Sequence, residues 1–179
     1  MSSTAGPPFA ISALRENEVE TLAQLAREIW LQHYPGIITV RQIEYMLAQR
    51  YSVALITEQL REPCLWWDKL QADGVLAGFA CCEKTEPCGD MKLDKLYVHG
   101  RYRGRGYGSA LIQHAMQRAK REGCQRLYLQ VNRGNHDSVA VYRRVGFAIE
   151  KTVKIEIGGG FVMDDFVMTM RISGTGACA

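Results

Sequence analysis

No segment constrains the fold more than LYVHGRYRGRGYGSALIQHAMQRAK, residues 96–120. An apolar strand, predicted over 91–98, runs into a turn carrying glycines at 100, 104, 106 and 108. A helix follows, predicted over 109–122, with Leu111, Ile112, Ala115, Met116 and Ala119 on one stripe and Gly123 as its stop. RLYLQV, residues 126–131, is apolar enough to be a buried strand. A strand–turn–helix–strand unit of this kind needs a crossover, and its two strands pair in parallel.

Around that unit the patterns are those of antiparallel hairpins and amphipathic helices. A helix over 16–30 carries Val19, Leu22, Leu25, Ala26 and Ile29, and a loop over 32–38 contains Pro35-Gly36. Thr39 and Gln42 form a capping box for a helix to about residue 50, and Ser52 caps another to 61. Further strands are predicted over 9–13, 65–71, 75–84, 148–157 and 161–172. Asp73-Gly74 marks one hairpin, and three glycines at 158–160 mark another. A short helix over 136–144 ends at Gly146. The expected fold class is α/β (α+β): a mixed, mostly antiparallel twisted sheet with helices on both faces. One domain is expected over 9–172, between flexible tails at 1–8 and 173–179.

With 47% hydrophobic and 23% charged residues, the 179-residue chain can bury one core. A net charge of +3 does not call for a polyanionic partner. No apolar run approaches the ~20 residues needed to cross a bilayer. MSSTAGPP lacks the basic start and apolar stretch of a signal peptide, so a cytoplasmic location is expected. Cys64, Cys81, Cys82, Cys88, Cys124 and Cys178 form no C-x-x-C pair and have no histidine at zinc spacing. Reduced thiols and no metal site follow, with Cys81 and Cys82 in the core.

The glycine-rich turn has its own chemistry. Backbone N–H groups at a helix start have no internal partners, and the helix dipole adds roughly half a positive charge there. Gly104, Gly106 and Gly108 let a bulky anion approach the backbone. Between residues 99 and 126 seven Lys or Arg face one acid, Glu122, so a phosphate is favoured. The P-loop pattern is absent. The dinucleotide pattern is broken, because Gly106-x-Gly108 is followed by Leu111 and the next strand ends at Val131-Asn132 without an acid. An arginine–glycine nucleic-acid segment is the rival reading, but this stretch is pinned between a strand and a helix.

What remains is R-x-x-G-x-G, as Arg103, Gly106 and Gly108, after LYV. RGNHDSVAVYRRVGF, residues 133–147, adds an Asn135 before a helix, Tyr142 seven residues on, and Gly146-Phe147. Together these resemble the two signatures of the GNAT superfamily of acetyl-CoA-dependent N-acetyltransferases, over about residues 91–150. The resemblance implies a GNAT-like sheet and direct transfer of acetyl from acetyl-CoA to an amine in a ternary complex. The coenzyme would be held by Leu96, Val98, Arg103, Gly104, Arg105, Gly106, Tyr107, Gly108, Ser109, Asn135, Ser138 and Tyr142. The Val98 N–H would polarise the thioester carbonyl, and Tyr142 would be the general acid towards the thiolate.

A primary amine near pKa ~10.4 is neutral only about once in 2,500 at pH 7, a handicap of roughly 4.6 kcal/mol, so a base is needed. Asp94 is one candidate, four residues before Val98 and therefore on the same strand face. Pairing with Lys92 or Lys95 is the competing reading. Asp164-Asp165 is the second candidate for the base, or a cation-binding pair. WLQHYPGIITVRQIEYML and GGGFVMDDFVM resemble the bacterial spermidine/spermine acetyltransferase branch. That implies an acceptor groove lined by Glu28, His33, Tyr34, Asp164 and Asp165, for a polyamine or other small amine. A peptide amine is the alternative, and a non-catalytic coenzyme A-binding regulator is the rival from another class. Neither nucleic acid nor membrane is expected as a partner. An exposed last strand would allow a homodimer.

Overall fold

The computed structural model describes residues 9–85 and 89–172; Cys88, Cys178 and both predicted tails lie outside that range. In chain order the elements are β1 (Phe9–Ala13), α1 (Val19–His33), α2 (Val40–Arg50), α3 (Val53–Gln59), β2 (Leu65–Ala72), β3 (Val75–Thr85), β4 (Asp90–Val98), α4 (Tyr107–Arg121), β5 (Arg126–Asn132), α5 (His136–Val145), β6 (Ala148–Gly158) and β7 (Phe161–Arg171). A 3-10 turn at Glu16–Glu18 precedes α1. Another, at Gly100–Tyr102, opens the glycine-rich connection.

Among the described residues seven strands form one sheet in the order β1-β2-β3-β4-β5-β7-β6. Among the strands of the described residues only β4 and β5 pair in parallel, across α4, as the crossover requires. The last strand is therefore interior, between β5 and β6, and β6 forms the edge. This corrects the expectation of an exposed last strand available for dimer pairing. A two-glycine turn brings β7 back inside β6, and residues 165–169 of β7 lie in the ladders on both sides.

Helices cover both faces. On one, Leu111, Ile112 and Ala115 of α4 and Val139 of α5 pack with Leu127, Leu129 and Met168. On the other, Leu22 and Ile29 of α1, Ile43 of α2 and Ile56 of α3 pack over Trp67 and Phe79. Each helix places its apolar stripe inward at the 3.6-residue period. Buried Asp68 of β2 receives both its hydrogen bonds from Arg118 of α4, each at 3.0 Å, which fixes the helix on the sheet. Cys81 and Cys82 are buried in the core, as expected, and burial pushes the Cys82 thiol up to about 12.

The caps hold with one revision. Ser52 accepts from Leu55 N at 3.3 Å, and Thr39 accepts from Gln42 N at 3.2 Å. The Gln42 side chain does not reach back to close a capping box. It is buried, and its Nε2 donates to Val162 O at 3.1 Å. Tyr45, one turn on, donates its hydroxyl to Ile157 O at 2.9 Å. The face of α2 thus bonds the β6–β7 hairpin, a long-range contact made in place of a local one.

Candidate active site

β4 and β5 are paired only over Asp90–Lys92 and Arg126–Tyr128, and beyond that they splay apart. The gap has a defined lining. His99 N donates to Ala77 O at 2.9 Å, so Gly78 and Val98 form a non-hydrogen-bonded pair. The N–H of Val98 consequently points away from β3 and into the gap. Leu96, two residues earlier and opposite Ala80, is turned the same way. Arg103 Nε donates to Val98 O at 3.3 Å, which ties the glycine-rich turn to the strand end.

That turn forms as an anion cradle should. Gly104 and Gly106 have φ of 76° and 82°, left-handed values that an L side chain adopts only with strain. Gly106 is the N-cap of α4 and supplies no side-chain cap. The first intrahelical bond runs from Ala110 N to Gly106 O, leaving the N–H groups of Tyr107, Gly108 and Ser109 without helix partners. A Cβ added at Gly104, Gly106 or Gly108 would meet nothing within 4 Å, so open space lies over those donors. The Tyr107 ring turns inward instead and packs 5.2 Å from Phe9. Only the Tyr107 backbone serves the cradle. Arg105 stacks 5.5 Å over the Tyr102 ring and does not line the cleft, a revision of its expected position. The unpaired donors, open glycines and splayed strands fit a pyrophosphate with an extended arm.

Asn135 caps α5 through Ser138 N, at 3.4 Å, and both residues line the same cleft as the cradle. Tyr142, two turns into α5, also lines it. Burial pushes the Tyr142 phenol up to about 12, so it stays protonated at neutral pH and can donate. No nearby charge contributes to that shift.

The cleft, about 890 Å³, continues from the cradle through the splay to a second half between α2, β4 and β7. Asp94 lies here, in a setting its position in the sequence did not reveal. A β-bulge in β4 falls at Asp94: Cys81 pairs with Lys95 and Cys82 with Leu93. The extra residue breaks the alternation, so the expectation that Asp94 and Val98 share a face is wrong. Leu96 and Val98 pack towards α4, whereas Asp94 meets Arg50 of α2. Arg50 Nη2 donates to both Asp94 oxygens, at 2.8 and 2.9 Å, Lys92 lies at 2.8 Å and Lys95 at 2.5 Å. Burial alone would raise its pKa. Lys95, Arg50 and Lys92 outweigh that and hold the carboxyl well below the ordinary range. A carboxylate so committed is a poor proton acceptor.

The other acceptor-side candidates divide. His33 lines the cleft, edge-on to Tyr34 at 5.0 Å, and burial and then Arg103 lower its pKa, so it is neutral at pH 7. Tyr34 lines it too, with its hydroxyl 3.1 Å from that of Tyr97. Glu28 does not. Ile29 and Trp30 take the inward positions of that helical turn, and Glu28 is exposed, 3.8 Å from His99. Asp164 also faces away, 3.4 Å from Arg133 and 4.0 Å from Lys154. Strand alternation sends only Asp165 into the cleft. Sequence reasoning missed Arg50, Tyr51 and Tyr97, which reach the site only because α2 and β4 are neighbours across the sheet face. Among the described residues no helix is long and apolar enough to cross a membrane, and no cluster of three His, Cys, Asp or Glu could hold a metal.

Comparisons with known proteins bear on the family and the fold. Residues 22–147 match the family model described as Acetyltransferase (GNAT) family. The chain is 28% identical to spermidine N(1)-acetyltransferase of Thermoplasma acidophilum, over 86% of this chain and 94% of that protein. It is similar to the crystal structure of PaiA N-acetyltransferase from the same organism in complex with coenzyme A, with a TM-score of 0.79, 26% identity, and coverage of 92% and 99%. The ribosomal-protein-S18-alanine N-acetyltransferase of Escherichia coli, at 19% identity and a TM-score of 0.71, shares the fold. The chain belongs to the GNAT family of acetyltransferases, and acetyl-CoA is its acetyl donor.

Proposed function

We propose that residues 9–172 form one catalytic domain that acetylates a small primary amine by direct attack in a ternary complex. The observation carrying this reading is the single cleft that joins the α4 cradle, the inward Val98 N–H and the Tyr142 hydroxyl. Arg103, Gly104, Gly106, Gly108 and Ser109 hold the pyrophosphate, with Tyr107 contributing its backbone. Leu96, Val98, Asn135 and Ser138 hold the arm. The Val98 N–H meets the thioester oxygen as charge develops there. Tyr142 gives its proton to the departing thiolate.

A small acceptor is favoured over a peptide because Gln42 and Tyr45 bond the β6–β7 hairpin to α2 beside the far half of the cleft. Spermidine is the first compound to try, because a relative aligned over most of both chains is a spermidine acetyltransferase. His33, Tyr34 and Asp165 are the residues placed to meet it. Free-thiol release from acetyl-CoA should be followed across spermidine, diamines, amino acids and short peptides. Release with small amines supports the proposal, and release with peptides alone replaces it. Acetyl-CoA binding without release from any amine would point to a regulator. A salt-sensitive affinity for single-stranded RNA, with no thermal shift from acetyl-CoA, would point to the nucleic-acid reading.

A further inference from the structure

Arg50 and Lys92 both face Asp94 and Asp165, but they are bonded to only one of them. Arg50 Nη2 and Lys92 Nζ lie within 2.9 Å of Asp94. Asp165, on β7 and paired with Asn132 of β5, is 6% exposed, and its Oδ1 is buried without a hydrogen-bond partner among the described residues. An unpartnered carboxylate oxygen buried in a reaction cleft is costly, and such groups mark functional positions.

On the reading of the protein as an amine acetyltransferase, we propose that Asp165 is the base that takes the proton from the acceptor ammonium. The ammonium gives one proton to Asp165 Oδ1. The freed lone pair attacks the thioester carbonyl carbon and the C–S bond breaks. The thiolate takes the Tyr142 proton, and a second N–H proton, acidified by bond formation, returns to the Tyr142 oxygen. Asp165 then loses its proton to solvent. Acetylated amine, free thiol and one released proton complete the balance.

The charges around Asp165 agree with this role. On α2 and β4 it faces Arg50 and Lys92, and Asp94 lines the same cleft; Tyr34 follows α1, Asp164 is its neighbour on β7, and its partners on β5 and β6 are the uncharged Asn132 and Val153. Burial pushes its carboxyl up to about 6, Arg50 and Lys92 oppose that, and Asp164 adds to it. A base near the working pH transfers protons efficiently and is still ionised at pH 7. Asp94 makes this possible by occupying the two cations.

Asp165→Asn is the test, with the fastest amine of the panel as acceptor. We expect kcat to fall by about 10²–10⁴, amine KM to stay within threefold, and acetyl-CoA binding to be unchanged. The acidic limb of the wild-type pH–rate profile, near pH 6, should vanish. The penalty should shrink at least tenfold with a weakly basic acceptor such as trifluoroethylamine, which is already neutral at pH 7. Thermal stability gives a readout independent of activity. A carboxyl whose folded pKa is raised loses stability as pH rises through the interval between its unfolded value, about 3.9, and about 6. The variant should therefore have the higher Tm at pH 8, with the gap closing towards pH 4. A loss confined to KM, an equal penalty on both acceptors, or a variant less stable at pH 8 would each overturn the assignment. A wild-type protein inactive on every amine would instead overturn the acetyltransferase reading itself.

Discussion

The two halves of the cleft are built differently. The half proposed for the coenzyme is largely backbone: three consecutive N–H groups at the start of α4, two left-handed glycines, and a strand end whose amide points into the splay. Its parts come mainly from residues 96–109, with α5 adding Asn135, Ser138 and Tyr142. The acceptor half is made of side chains that converge from Tyr34, Arg50, Asp94 and Asp165, on four separate segments. A local backbone device tolerates variation elsewhere in the chain, whereas a convergent cluster changes with any segment that moves.

Tyr142 stands at the junction, and its substitution should have the largest effect. Tyr142→Phe removes only the hydroxyl, so thiol release should fall by about 10²–10⁴ while acetyl-CoA affinity is retained. Stopped release with lost binding would place Tyr142 in the coenzyme half alone. Asp94→Asn should damage the acceptor half next. Lys95, 3% exposed at its side chain, would lose its counter-charge, as would Arg50 and Lys92. Stranding a buried cation costs about 3–5 kcal/mol, measurable by urea unfolding. The wild-type carboxyl is held below its ordinary value, so its stabilisation is complete above about pH 3.9 and lost only as pH falls further. The difference between wild type and variant should thus be flat from pH 8 to 5 and narrow below pH 4. A difference that instead changed between pH 5 and 7 would mean that Asp94 titrates as a base.

The same contrast explains what was legible in the sequence. The parallel unit, the cradle and the α5 cap could be read because each is written in one contiguous stretch obeying one period. Asp94 was misplaced because a bulge broke a two-residue period that the sequence gives no reason to doubt. Asp164 and Asp165 read as a pair in the sequence, although strand alternation separates them. Gln42 was assigned to a local cap when its partner is Val162, 120 residues away. Pairings of that kind arise from packing and leave no local pattern.

Gly106→Ala probes the coenzyme half with a smaller change. The backbone there is left-handed, at φ 82°, so a methyl group should cost about 1–2 kcal/mol of stability or pull the turn out of shape. Moving one N–H away from the pyrophosphate should weaken acetyl-CoA binding about tenfold or more, since a hydrogen bond to a charged group contributes roughly 1.5–3 kcal/mol. The KM for the amine should stay within threefold. Equal losses for both substrates would mean that the halves are mechanically coupled through α4, and the contrast between them would have to be redrawn.

Glu28→Gln should have the smallest effect, and it marks where the acceptor half ends. The carboxylate is exposed on the outer face of α1, with His99 Nε2 at 3.8 Å. A surface substitution of that kind stays within about ±0.5 kcal/mol. The amine kcat/KM should remain within twofold of wild type, with an unchanged ranking of acceptors. A selective loss for spermidine alone would show that a long cationic acceptor leaves the cleft across α1 and reaches Glu28. The acceptor half would then extend onto the surface, and the length of the amine, rather than its head group, would become the quantity the protein measures.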